Sequence, residues 1–176
     1  MYQRILVPVD GSPTSDAGLA EAIRLAGSCG GRLHLVHVID DLSLGFGMTA
    51  YAEYTGDWLG LLRENGADIL KAGQAAAQQA GVEADTMLDD GFAGSLTDVV
   101  QHQAASWHAD LIVLGTHGRR GVGRLVLGSD AERILRSSQL PVLLVRGPAA
   151  APTAVAAAAA QNALAQATAE AAVAVA

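Results

Sequence analysis

Up to Arg146, short apolar runs alternate with longer stretches that repeat apolar residues at helical spacing, and this alternation predicts strands followed by helices. Ile5-Leu6-Val7-Pro8-Val9 is a continuous apolar run of strand length. Asp10-Gly11-Ser12-Pro13 follows, where Ser12 can cap a helix and Pro13 suits its first position. Leu19, Ala22, Ile23 and Ala26 mark that helix, and Gly30-Gly31 stops it before a second apolar run, Leu33 to Ile39. The stretch from Asp40 to Gly56, with Gly45, Gly47, Phe46, Tyr51 and Tyr54, predicts a flap-like connection. Leu59, Leu62, Ile69 and Ala76 then recur on one helix face.

Val82 to Leu88 alternates apolar and polar residues as a half-exposed strand does, and Leu96, Val99, Val100, Gln103 and Trp107 mark a third helix. Leu111-Ile112-Val113-Leu114 is a fourth strand, Ala131, Ile134 and Leu135 mark a fourth helix, and Pro141 opens a last strand through Val145. Strands alternating with helices predict an α/β fold: an open five-stranded parallel sheet, order 3-2-1-4-5, with helices on both faces. From Ala149 onward 17 of 28 residues are alanine and only Glu170 is charged, so the composition no longer specifies a core. The expected division is an α/β domain over residues 1–147 and an Ala-rich tail over 148–176. Gln161, Asn162, Gln166, Thr168 and Glu170 argue against a membrane span there.

Charge and composition narrow the partners. A net charge of −7 and a pI near 5.0, with no basic run, argue against nucleic acid. The opening Met1-Tyr2-Gln3-Arg4-Ile5 enters a strand without an export signal, and a lone Cys29 cannot form an internal disulfide; a cytoplasmic protein is expected. His34 and His37 face opposite sides of a strand, and His102 and His108 diverge, so no metal site is expected.

The chemistry concentrates between the fourth strand and fourth helix. Such connections usually take two to six residues, whereas Gly115 to Gly128 is fourteen residues long, dense in glycine and carrying Arg119, Arg120 and Arg124. At its end Ser129 opens a helix, where free amides and the helix dipole favour an anion such as a phosphate. A structural alternative is a capping box formed by Ser129 and Glu132. The arginines could pair with phosphates or be solvated, and His117 has no carboxylate placed beside it by spacing, so no catalytic residue is assigned.

The spacing Gly115, two residues, Gly118, nine residues, Gly128-Ser129, directly after an apolar strand, resembles the nucleotide motif of the universal stress protein family. The resemblance extends over residues 2–146, including Pro8 and Asp10 in the opening unit and the Val36-His37-Val38-Ile39-Asp40 run. It implies ATP, with Mg²⁺ carried by the nucleotide, held at the phosphates by Gly115, Gly118, Gly128 and Ser129. It further implies Asp10 against the ribose or base with Pro8 beside it, and the backbone of Val38 at the adenine edge. Asp10 could instead be a turn residue before Gly11 and Ser12. The resemblance also implies a homodimer, and the apolar last strand, with Val142 and Leu144, is the expected contact.

The functional expectation is an ATP-binding stress-response or regulatory protein, a nucleotide-dependent sensor or signalling dimer. Two alternatives stand beside it: a nucleotide-free dimeric adaptor, and a slow ATPase or autophosphorylating protein. A Walker-type loop would need a lysine before Ser129, a dinucleotide fingerprint would sit in the first strand-to-helix turn, and a hydrolase would need a glycine-flanked serine elbow; the sequence has none of them.

Overall fold

The computed structural model describes residues 2–39, 58–90, 94–116 and 128–147. Five strands, β1 (Arg4–Pro8), β2 (Arg32–Val38), β3 (Ala84–Asp89), β4 (Leu111–Thr116) and β5 (Val142–Arg146), form one parallel sheet in the order β3-β2-β1-β4-β5. Four described helices accompany them: α1 (Pro13–Cys29), α2 (Trp58–Gln79), α3 (Leu96–Ser106) and α4 (Ser129–Ser137). The expected strand order and two-sided cover are what the structure has.

Local chemistry explains the first unit. The Ser12 hydroxyl accepts from the Ser15 amide at 3.1 Å, Pro13 occupies the first turn of α1, and Gly30 ends the helix at φ 64°. That left-handed turn suits a residue without a Cβ. β1 is central and buried on both sides, so its run is apolar throughout: Ile5 and Val7 pack towards α1 and α2, Leu6 towards α3 and α4. The first core joins Leu33, Leu35 and Val113 with Leu19, Ala22, Leu70 and Ala77. The second joins Val36, Ile112 and Leu114 with Val100, Ala104 and Ile134. Each fully buried Leu or Ile contributes about 1.5–3 kcal/mol relative to exposure.

Helix α2 departs from the expected face. Its buried residues are Gly66, Leu70, Gly73 and Ala77, while Ala76 is exposed and Leu62 and Ile69 are half-buried. A Cβ on Gly66 would stand 2.7 Å from both His37 Cδ2 and Leu88 Cδ1, and one on Gly73 would stand 3.0 Å from Leu35 Cδ1. The helix therefore meets the sheet through glycines, which a hydrophobic periodicity does not register. In α4, Ile134 is buried as expected but Leu135 is 42% exposed. The stretch Asp40 to Gly56 and the alanine-rich tail lie outside the described residues.

At the end of the sheet where the strands begin, His34 is buried and stacks on Trp107, with ring centroids 5.0 Å apart and planes 17° from parallel. The Arg4 guanidinium lies 4.4 Å from the Trp107 ring centroid, that of Arg32 lies 5.4 Å away, and Trp107 Nε1 donates to Asp85 Oδ2 at 3.3 Å. Burial pushes the His34 pKa down from 6.5, with Arg4 assisting and Gln103 and Asp85 opposing. The folded chain thus holds His34 neutral where the unfolded chain would take a proton. Its contribution to stability is complete above the unfolded pKa and declines as pH falls below about 6.5. Lowering the pH from about 7.5 to about 5.5 should therefore reduce the melting temperature more in the wild type than in His34→Phe, which keeps a ring at the stack. Equal losses in thermal scans would show that His34 carries none of the acid sensitivity.

Candidate functional site

The site grows out of the topology. The chain leaves β1 for β2 through α1 on one face, and it reaches β4 from α3 on the other. β1 and β4 are neighbours, pairing Ile5 with Leu111 and Leu6 with Ile112, so their diverging connections leave a crevice beyond the strands' carboxyl ends. A cleft of about 290 Å³ lies there.

Pro8, Asp10, Val38, Gly115, Gly128 and Ser129 all line this cleft. They are six of the seven positions singled out in the sequence; the seventh, Gly118, lies outside the described residues, as do His117, Arg119, Arg120 and Arg124. The cleft wall also includes residues that the sequence did not mark as site residues, notably Thr14, Ser15, Leu96, Thr116, Asp130 and Ala131. Leu96 and Ala131 supply apolar wall from the first turns of α3 and α4.

The floor of the cleft is a tight network at the start of α1. Asp10 Oδ1 accepts from the Ser12 amide at 2.8 Å, and the Asp10 amide donates to Ser15 Oγ at 3.1 Å. Gly11 between them has φ 74°. Asp10 therefore does hold the turn, through one carboxylate oxygen, while its residue borders the cleft. His37 adds a brace that its sequence position did not signal: its Nδ1 lies 2.7 Å from the Val9 carbonyl oxygen, while the Val9 amide donates to Val36 O at 2.8 Å. These contacts fix the ends of β1 and β2 against each other at the cleft.

Gly115 is not in the connection but within β4, which runs on through Thr116, so the segment leading to α4 is residues 117–128. A Cβ on Gly115 would fall on the Thr14 carbonyl oxygen and stand 2.6 Å from the Thr14 carbonyl carbon. Gly18 and Gly147 answer it: their Cβ atoms would stand 2.8 Å from the Gly115 amide nitrogen and 2.7 Å from Thr14 Cα. Glycine at 115 thus lets α1 press its backbone against β4, which brings Thr14 and Ser15 to the cleft wall.

The mouth of α4 is built differently. Gly128 is the N-cap, with φ −57° and ψ 149°, and as a glycine it supplies no side-chain cap to the helix. Ser129 is the first helical residue, so the capping box with Glu132 does not form; Glu132 instead accepts from Arg136 Nε at 3.0 Å. Among the described residues, and leaving aside the chain neighbours of Gly128, no atom lies within 4 Å of where its Cβ would be. Uncapped first-turn amides facing a cleft, with open space at the capping glycine, fit a phosphate.

An open parallel α/β sheet with a cleft at its switch point, floored by a serine- and aspartate-bearing turn and bounded by an uncapped helix, defines a class of small-ligand-binding domain. Residues 1–146 match the model of the universal stress protein family. The chain belongs to that family. A universal stress protein of Methanocaldococcus jannaschii is 34% identical over 151 residues, covering 84% of each chain. The crystal structure of a universal stress protein family member from Burkholderia pseudomallei has a TM-score of 0.63 at 29% identity, covering 82% of this chain and 96% of its own. Two more distant structures carry nucleotides. One is a universal stress protein in complex with cAMP (TM-score 0.58, 22% identity, covering 84% of this chain and 99% of its own). The other is the Archaeoglobus fulgidus protein in complex with dAMP (TM-score 0.58, 20% identity, covering 82% and 98%). At those identities the likeness is one of fold.

Among the described residues, no helix is long and apolar enough to cross a membrane.

Proposed function

We propose that this protein is an ATP-binding member of its stress-response family, which holds the nucleotide in the β1/β4 cleft and works as a nucleotide-dependent sensor or signalling dimer in the cytoplasm. The observation that carries the proposal is the convergence of Pro8, Asp10, Val38, Gly115, Gly128 and Ser129 on one cleft, although the first and last of them are 121 residues apart in the sequence. The solved relatives with cAMP and dAMP support an adenine nucleotide as the ligand class. In this reading the amides of Ser129 and its first-turn neighbours, with Gly118, hold phosphate oxygens. Asp10 and Pro8 border the ribose, and the Val38 backbone receives the adenine edge. Mg²⁺ arrives on the nucleotide and neutralises phosphate charge. Occupancy, more than turnover, is the output, and residues 148–176 are an appendage to the binding domain.

Ligand binding to the folded state alone raises stability by about 2.7 kcal/mol at a hundredfold excess over Kd. For a chain of this size that corresponds to a rise in melting temperature of about 5–10 °C with ATP and Mg²⁺. A melting curve unmoved by millimolar nucleotide would turn the assignment to the nucleotide-free adaptor.

The dimer is proposed to form along β5, the sheet's open edge beyond β4. The Ile112 amide donates to Pro141 O and the Gly147 amide to Thr116 O. By the alternation of a parallel ladder, the backbone groups of Val142 and Leu144 then point away from β4, free to pair with a second copy. Their side chains pack into the core beside Leu6 and Ile112, so a charged side chain there would test packing as much as association. Leu144→Pro removes the outward amide at an edge position where proline is tolerated. It should give monomers by light scattering; a variant that folds and stays dimeric would refute edge pairing.

A further inference from the structure

Two ionisable residues, Asp10 and Asp130, stand among the described residues that line the cleft, and both are acids. Asp10 has one carboxylate oxygen committed to the Ser12 amide. Asp130 is the second residue of α4, in the turn whose uncapped amides border the cleft, and its side chain is 53% exposed. Its described charged neighbour is Arg133, whose guanidinium is 3.8 Å from Asp130 Oδ1, itself 65% exposed and on the same helix. So long and solvated a pair leaves most of the carboxylate's field intact. The turn therefore offers amides and a helix dipole that attract phosphate, together with a fixed negative charge that repels it.

Resting on the nucleotide reading above, we propose that Asp130 is a specificity residue that makes polyphosphate binding depend on a divalent cation. A metal-free triphosphate carries several negative charges into the turn that holds Asp130, and each unit of like charge a few ångströms away costs affinity. A divalent cation on the phosphates lowers that charge and offers the carboxylate an opposite partner, directly or through its water shell. The same carboxylate then disfavours the bare nucleotide and favours its metal complex. A nucleoside without phosphate is indifferent to it.

Asp130→Asn retains the size and removes the charge, exchanging one acceptor oxygen for an amide NH2 donor. Wild type and variant would be titrated calorimetrically with ATP plus Mg²⁺, ATP plus EDTA, and adenosine plus EDTA. The variant should bind metal-free ATP about threefold to tenfold more tightly than wild type, as expected of one exposed like charge removed at short range. Its preference for the Mg²⁺ complex should narrow correspondingly, adenosine should be unchanged, and the gain should shrink in about 0.5 M salt. Unchanged affinity for metal-free ATP, or an equal change in adenosine, would overturn the role of Asp130. A wild type that binds none of the three would overturn the nucleotide reading itself, and this inference with it.

Discussion

Gly115→Ala should lower the melting temperature by about 6–12 °C, equivalent to a loss of about 3 kcal/mol or more for a chain of this length. The added methyl would fall on the Thr14 carbonyl oxygen, with the Thr14 carbonyl carbon 2.6 Å away and the Ser15 amide nitrogen 3.0 Å away. All three are backbone atoms of a helix, so no side chain can swing aside to relieve the contact. Relief requires α1 to lift off β4. That would also open the Gly18–Gly115 and Gly147–Thr14 contacts and displace the Ser15 hydroxyl that holds the Asp10 amide. Differential scanning calorimetry checks this directly, and a variant as stable as wild type would mean that the close helix–strand approach does not exist. Nucleotide affinity should fall as well, as a consequence of the displaced cleft wall.

The opposite behaviour is expected four residues before Glu132, at the capping glycine. Gly128→Val should keep the fold, because among the described residues nothing beyond the chain neighbours stands within 4 Å of the new Cβ, and φ −57° with ψ 149° suits a β-branched residue. Exchanging a tolerated N-cap for a poor one costs about 1 kcal/mol, or about 2–4 °C. The valine would place its methyl groups beside the first-turn amides of α4, in the space assigned to phosphate. Affinity for ATP should fall about thirtyfold or more, the equivalent of about 2 kcal/mol, and the stabilisation by nucleotide should largely disappear. A Gly128→Val protein with wild-type thermal shifts would show that phosphate is not held at this turn. The two glycines share a motif and differ in kind: one sits against the backbone of α1, and the other has open space at its Cβ position among the described residues.

That difference marks how far the sequence could be read. Strand order, two-sided cover and the caps of α1 were legible because apolar runs, Ser12-Pro13 and Gly30 each signal a local energetic preference. Part of the cleft lining was legible too: the motif spacing singled out Gly128 and Ser129, the family resemblance singled out Pro8, Asp10 and Val38, and the fold brings these residues to one cleft. The buried face of α2 was hidden because Gly66 and Gly73 make its contacts through absent side chains. The length of β4 was misjudged for the same reason: Gly115 reads as loop, yet it is a strand residue against a helix. Ser129 and Glu132 matched a capping box in spacing, but the helix starts one residue too early for it, at Ser129 itself. His37 gave no signal because its contact with the Val9 carbonyl depends on which neighbours the fold provides.

Calorimetric titration of ATP with Mg²⁺ into the wild-type protein, with Gly128→Val as the matched control, tests the central claim most directly. The account predicts saturable heat at one nucleotide per protomer in the wild type and little or none in the control at the same concentrations. A wild type that releases no saturable heat, or a control that binds equally well, would contradict it.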